Sequence, residues 1–119
     1  MAKSDIIYIY HIRDSIVKVI DYTNSVEETG FKSNPMMQDA VIRQIEVIGE
    51  ASSKLSKIFR DKYNQIPWKN IVGMRNKLIH DYFGVDISAV WETVKNDIPL
   101  LKKEIDSLIT NLDQQIDFK

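Results

Sequence analysis

Apolar residues recur at spacings of three and four along most of the chain, the pattern of amphipathic helices. The first stripe is Ile9, Ile12, Ile16, Val19, Ile20 and Thr23. The second runs from about residue 36 to about residue 62 and contains Met37, Val41, Ile45, Ile48, Ser52, Leu55 and Phe59. The last and most regular is Trp91, Val94, Ile98, Leu101, Ile105, Leu108 and Leu112. These stripes predict three long helices that share a core.

Prolines and glycines indicate where helices begin, end or bend. Pro67 suits the first turn of a further helix, expected from residue 68 to about residue 82, and Gly84 is placed to end it with a left-handed cap. Asp86 is expected to cap the last helix. Within that helix Pro99 conflicts with the carbonyl four residues earlier, so a kink or a break is expected there.

Four long helices with short connections predict an all-α fold, an antiparallel bundle of four to five helices in a single domain covering residues 1–119. The first helix carries a second apolar stripe, Ile6, Tyr10 and Val17, so its apolar arc is wide. Such a helix is either central in its bundle or covered by another subunit. A homodimer is therefore one of two expectations from this helix.

A polar row follows another face of the second helix, where Asp39, Arg43, Glu46 and Glu50 are spaced by four, three and four residues. A solvated row of ion pairs is the favoured interpretation. The alternative is that Arg43 or the carboxylates orient groups in a neighbouring cleft. Gly49 lies in the same helix at a cost of about 1 kcal/mol relative to alanine, which indicates close contact with another helix.

Composition narrows the classes of function. The 119 residues contain no cysteine, which excludes disulfides, thiolate metal sites and a cysteine nucleophile. No apolar run approaches the roughly 18 residues of a membrane span, and residues 1–5 lack the apolar core of a signal peptide. We therefore expect a cytoplasmic protein with no membrane association.

The net charge of −1 conceals a segregation of charge. Between Lys54 and His80 seven basic residues are opposed by one acidic residue, a net charge of +6, which leaves −7 for the rest of the chain. A basic region of this kind points to a polyanionic partner. A lysine-rich helix end kept soluble by its charge would give the same pattern, so both interpretations stay open.

Residues 74–84 are not explained by packing. They include His80, one of only two histidines, with Arg75 five residues before it and Tyr82 two residues after it. A regular helix advances by about 100° per residue, so Asn76 and His80 would share one face, and Arg75 and Tyr82 another. Arg75 and His80 would stand about 140° apart. They could cooperate only if the arginine reaches around, the helix is distorted, or a second subunit completes the site.

An arginine and a histidine without a carboxylate cluster suit metal-independent cleavage of RNA better than a metal site. Histidine, with an ordinary pKa of about 6.5, can take the proton of a ribose 2′-hydroxyl or return one to the leaving oxygen. Arginine can hold the phosphate bidentately and stabilise its developing charge. The products would be a 2′,3′-cyclic phosphate and a 5′-hydroxyl. His11, among isoleucines and tyrosines, is expected to be a packed or surface residue.

Residues 75–82 read Arg-Asn-Lys-Leu-Ile-His-Asp-Tyr and match the pattern Arg-x-x-x-x-His-x-Tyr. With this motif the chain resembles the HEPN superfamily, in its HepT-like branch. The flanks agree, with Ile-Gly-Glu-Ala at 48–51, Ile-Pro-Trp at 66–68, and Tyr-Phe-Gly-Val-Asp at 82–86 followed by Val-Trp at 90–91. The resemblance extends over most of the chain.

The resemblance implies a helical-bundle ribonuclease that acts as the toxin of a type VII-like toxin–antitoxin pair. In a homodimer the two motif helices would form one cleft, with Arg75 and His80 as catalytic residues and Asn76 in support. No metal or other cofactor is implied. The partner would be a small MntA-like nucleotidyltransferase that attaches AMP to Tyr82 and blocks RNA through bulk and negative charge.

Two other interpretations are kept. The chain could be a non-catalytic HEPN module that binds and positions a nucleotidyltransferase, although the intact Arg75–His80 pair speaks against this. Alternatively, Arg75 and His80 could be ordinary polar residues on a dimerising helix, and Tyr82 a half-buried tyrosine near a helix end.

Overall fold

A computed structural model describes residues 3–81 and 84–117, with the backbone alone at 77, 79–81 and 115–117. This part of the chain is predominantly helical, which confirms the predicted class. Its elements are α1 (Lys3–Thr23), α2 (Glu28–Lys32), α3 (Pro35–Ser53), α4 (Lys57–Lys62), α5 (Trp68–Val72), α6 (Met74–Leu78), β1 (Ile79–Asp81), β2 (Gly84–Val85), α7 (Ile87–Glu92) and α8 (Ile98–Asp117). None of these helices is long and apolar enough to cross a membrane.

The predicted apolar stripes meet in one core. Helix α1 packs against α3 and α8, and each of these helices has completely buried side chains, among them Ile9, Ile45 and Ile105. Every member of the last stripe is buried, and in the first two stripes only Ile20 and Met37 remain partly exposed. The additional stripe on α1 is not buried, since Ile6 and Tyr10 are half-buried and Val17 is exposed. The helical periodicity therefore predicts correctly which side chains leave water, the main source of stability in a domain of this size.

The second predicted helix is wrong as a single element, because the chain breaks between α3 and α4. Ser56 begins α4 from an extended backbone, and its hydroxyl accepts the N–H of Phe59 at 3.1 Å. The buried carboxylate of Asp5 accepts the N–H of Ser56 at 2.8 Å and its hydroxyl at 2.7 Å. Periodicity does not reveal this break, since Leu55 and Phe59 stay buried at helical spacing on either side of it.

Pro99 is accommodated without a break. A π-helical turn, Thr93–Asp97, joins α7 to α8, and the N–H of Ile98 donates to the carbonyl of Thr93, five residues back. The wider turn relieves the conflict between the proline ring and the carbonyl of Lys95. The expected irregularity is therefore a local widening within a continuous helical run.

The helix predicted from residue 68 to about residue 82 is interrupted and ends early. Gly73 separates α5 from α6, and α6 ends at Leu78, after which β1 pairs antiparallel with β2. The carbonyl of Leu78 accepts the N–H of Asp86 at 2.8 Å, which fixes the chain in this turned-back path. Ile79 lies opposite Val85, and β-branched residues of this kind favour strands.

The two predicted caps beyond the motif have different outcomes. The left-handed cap at Gly84 is wrong, because Gly84 lies in β2 and none of the described glycines has a positive φ. Asp86 caps α7 as predicted, since its carboxylate accepts the N–H of Ala89 at 3.0 Å. The strand pair thus takes the place of a helix end between α6 and α7.

Candidate active site

Arg75 lies on α6 and lines a pocket of about 320 Å³ between α3 and the α5–α6 segment. Its Nε donates to Oε2 of Glu46, a residue of α3 that lies 29 positions earlier in the chain, at 3.0 Å. Asn76 lines the same pocket, next to Arg75. The structure therefore brings together the first two residues of the motif with a carboxylate from another helix.

Close packing of α3 against α5 places Glu46 within reach of Arg75. A Cβ atom at Gly49 would lie 3.3 Å from the carbonyl oxygen of Val72, tighter than most contacts of this kind. The close helix contact predicted from Gly49 is confirmed. Because Glu46 lies less than one helical turn before Gly49, it faces the same neighbouring segment.

The polar row on α3 does not form the expected row of ion pairs. Glu46 pairs with Arg75, and Glu50 lies 3.9 Å from Lys54. No described ion pair joins two members of the row. The ion pairs predicted within the row are therefore wrong, although Asp39, Arg43 and Glu50 are exposed as predicted. Glu46 fits the alternative, a carboxylate that orients a group in a cleft.

The Arg75–Glu46 pair orients the guanidinium without burying it. The Arg75 side chain is 51% exposed and that of Glu46 33%. An ion pair this accessible stabilises a fold by only about 0–1 kcal/mol. Glu46 engages Nε, and neither terminal nitrogen of Arg75 has a hydrogen-bond partner among the described residues. These two nitrogens are the fork that binds a phosphate bidentately.

The early end of α6 changes the predicted geometry of the motif. Arg75 is in the helix, but His80 is in β1, so the 140° separation of a continuous helix does not apply to the pair. The helix face predicted to be shared by Asn76 and His80 is wrong for the same reason, whereas the prediction that Arg75 shares a face with Tyr82 lies outside the described residues. The helix is distorted before His80, which is one of the three ways in which Arg75 and His80 could cooperate. The His80 side chain and the whole of Tyr82 lie outside the described residues.

Arg75 gives the pocket one group that can bind an anion. Among the residues that the structure describes, no group of three or more His, Cys, Asp or Glu side chains could hold a metal. Glu46 and Glu50, the two carboxylates of the pocket, lie beside Arg75 and Lys54 respectively. With the carboxylates next to cations, the open guanidinium nitrogens of Arg75 can bind an anionic oxygen.

Glu46 is the residue of this site that sequence reasoning did not assign. Its spacing in the polar row placed it on the right face of the helix, but the row offered three other charged residues equally. Only the packing of α3 against α5 and α6 selects Glu46, because a pair 29 residues apart leaves no periodic signal in the sequence.

The chain matches the profile of the family described as "Ribonuclease HepT-like" over residues 12–108. A Methanocaldococcus jannaschii protein named as a gamma-glutamylcyclotransferase and, provisionally, an RNase is 49% identical over 114 residues, which are 96% of this chain and 51% of that protein. A provisionally named RNase of the same organism is 44% identical over 107 residues, covering 89% of this chain and 98% of the relative. No solved structure matches the chain.

A Thermococcus cleftensis protein named a probable ribonuclease HepT is 40% identical over 108 residues, which cover 91% of this chain and 98% of that protein. The chain spans about half the length of the first relative and nearly all of the other two. The match extends well beyond the motif, through the helices that form the core. The chain therefore belongs to the HepT-like ribonuclease family, as its motif predicted.

Proposed function

We propose that this protein is a metal-independent endoribonuclease and the toxin of a toxin–antitoxin pair. The observation that carries the proposal is the guanidinium of Arg75, oriented by Glu46 with its terminal nitrogens open, five residues before His80. Membership of a ribonuclease family supports the reaction class. An oriented arginine is also what binding a scissile phosphate requires before any chemistry begins.

In the proposed reaction the ribose 2′-oxygen attacks the neighbouring phosphorus and the bond to the 5′-oxygen breaks. His80 accepts the 2′-hydroxyl proton, and a proton returned to the 5′-oxygen completes the products, a 2′,3′-cyclic phosphate and a 5′-hydroxyl. Arg75 stabilises the charge that develops on the non-bridging oxygens. Asn76, which lines the same pocket, is a further hydrogen-bond donor for the phosphate or ribose.

A homodimer would give this chemistry both a base and an acid. A two-fold axis beside the motif would bring two copies of Arg75 and His80 to one cleft, so one histidine could accept a proton while the other donates. Exposed apolar side chains on α1 support self-association, since Ile7 is 47% and Val17 38% exposed. The wide apolar arc of α1 is thus not fully covered by the described part of one chain.

Control by an MntA-like nucleotidyltransferase is the second part of the proposal. Tyr82 comes directly after β1 in the sequence, two residues beyond His80. An AMP group on its hydroxyl would add bulk and negative charge beside residues that bind phosphate, and would exclude RNA by sterics and repulsion. The phenol oxygen attacks the α-phosphorus of ATP, its proton is lost, and pyrophosphate leaves.

The purified protein, incubated with single-stranded RNA in the presence of EDTA, is expected to yield fragments with 2′,3′-cyclic phosphate ends. Expression without its nucleotidyltransferase should arrest growth. Co-expression of the nucleotidyltransferase should relieve the arrest and add AMP mass to the wild type but not to Tyr82→Phe. Intact RNA together with normal growth would refute the proposed toxin function. The remaining interpretation would then be a non-catalytic module that binds a nucleotidyltransferase.

Glu46→Ala is expected to lower kcat for RNA cleavage by up to about 100-fold, because Arg75 loses the contact that orients it. Glu46→Gln, which keeps an oxygen that can accept from Nε, should lose less. The unfolding midpoint should hardly change, since the pair is half exposed. Asp106→Ala, which removes an ion pair to Lys102 of similar exposure on α8, is the matched control. Equal kcat for Glu46→Ala and this control would contradict the role.

A further inference from the structure

A second polar groove lies between α1 and α3, next to the Arg75 pocket. This α1–α3 groove has a volume of about 260 Å³ and is lined by Tyr8, His11, Arg43, Val47, Glu50 and Lys54, together with Ala51. Glu50 lines both the groove and the Arg75 pocket. The two depressions therefore adjoin each other across one residue of α3.

The α3 wall of the groove carries an unpaired positive charge. Arg43 is exposed and makes no ion pair or hydrogen bond to any described residue. Lys54 Nζ is 3.9 Å from Glu50 Oε1, too long for a hydrogen bond. Two cations therefore face one carboxylate along this wall, and Arg43 is the cation that no neighbour neutralises.

The α1 wall of the groove is aromatic. The rings of Tyr8 and His11 lie edge to face with their centroids 6.3 Å apart. Tyr8 is half buried, so its ring is held in place, whereas His11 is exposed. His11 is thus the surface histidine that the sequence predicted. Proteins commonly bind single-stranded RNA with aromatic and basic side chains together, stacking bases on the rings and holding phosphates with the cations.

We propose that the α1–α3 groove binds the nucleotides next to the scissile phosphate, with a backbone phosphate on Arg43 and a base against Tyr8 and His11. The inference rests on the proposed ribonuclease function and adds a second contact region for the RNA strand. Arg43 and Glu46 are separated by about 4.5 Å along α3. Because the two depressions share Glu50, one strand bound along this surface would contact Arg75 in the pocket and Arg43 in the groove.

The test measures binding of a short single-stranded RNA to the full-length His80→Ala protein, which holds RNA without cutting it, over a series of salt concentrations. Arg43→Gln, introduced into the His80→Ala protein, is expected to weaken binding by about tenfold, the effect of losing one charged hydrogen bond. The slope of log K against log salt should fall by about 0.7, the value for one phosphate contact on a single strand. Arg43→Lys should restore that slope, because it keeps the charge.

Arg13→Gln is the matched control for Arg43→Gln. Arg13 stands over the ring of Tyr10, 4.9 Å from its centroid, and pairs with Asp14. Two residues beyond His11, it is turned by about 200° around α1 and so away from the groove. Its replacement should leave both affinity and salt slope unchanged. Tyr8→Leu should weaken binding about tenfold through lost stacking, whereas Tyr8→Phe should not.

If Arg43→Gln leaves the affinity and the salt slope unchanged, while the protein that keeps His80 cleaves RNA, the groove proposal is overturned and the proposed function stands. A change in molecular mass on Arg43→Gln would also overturn it, since the groove would then be an interface between copies. If the wild-type protein neither binds nor cleaves RNA, the proposed function fails, and the groove proposal fails with it.

Discussion

His80→Ala is expected to reduce the rate of RNA cleavage by about 10²–10⁴-fold, the usual contribution of a general base or acid. The loss should appear in kcat, measured as the single-turnover rate on an end-labelled RNA, because alanine can neither accept the 2′-hydroxyl proton nor return one. Expression of this variant without the nucleotidyltransferase should no longer arrest growth. Among the substitutions considered, this one has the largest expected effect.

Two further measurements make the His80→Ala result specific to chemistry. The backbone of β1 pairs with β2 through main-chain groups, so the variant should keep its helical content and its unfolding midpoint. Its oligomeric state in solution should equal that of the wild type, which separates lost chemistry from lost dimerisation. A folded His80→Ala protein that cuts RNA at the wild-type rate would refute the catalytic role of His80.

Arg75→Lys is expected to lower kcat by about 10²–10³-fold, similar to removal of one preorganised donor to a developing oxyanion. Lysine keeps the positive charge but has neither the planar fork that holds a phosphate nor the Nε that donates to Glu46. Loss of activity despite the retained charge would therefore identify geometry as the requirement. Arg60→Lys makes the same change on α4, outside the pocket, and should stay within about twofold of the wild type.

A double-mutant cycle tests whether Glu46 acts through Arg75. If orientation of the guanidinium is its only role, Glu46→Ala should lower kcat in the wild type and have no further effect in Arg75→Ala. Additive losses would mean that Glu46 contributes to cleavage independently.

Wild-type activity in Arg75→Lys would show that a point charge suffices and would remove the reason for the Glu46 contact.

Much of the fold follows from local pattern. The apolar stripe that ends at Leu112 is fully buried, and Asp86 caps α7. Both features were predictable because burial and capping depend on residues within a few positions of each other. The predicted boundaries were less accurate. Ser56 begins a new helix, and part of what holds it there is the Asp5 carboxylate, 51 residues away in the chain, which accepts its N–H.

The motif predicted the residue types of the candidate site but not its geometry. The spacing of Arg75, His80 and Tyr82 identified the motif, and the family match extends that identification to most of the chain. The helical angles inferred from this spacing were wrong, because α6 ends at Leu78. The contact that fixes this end, from Asp86 to the carbonyl of Leu78, forms only when the chain turns back on itself.

The sequence by itself determined which faces of the helices are buried, where the basic residues are concentrated and which short segment matches the family motif. These properties are local, since a helix repeats every 3.6 residues and charge is counted along the chain. The tertiary structure decided that Arg75 pairs with Glu46, that His80 lies in a strand, and that Glu50 separates two adjoining depressions. Such pairings depend on how α3 packs against α1, α5 and α6, and helix packing is set by the whole core rather than by any one segment.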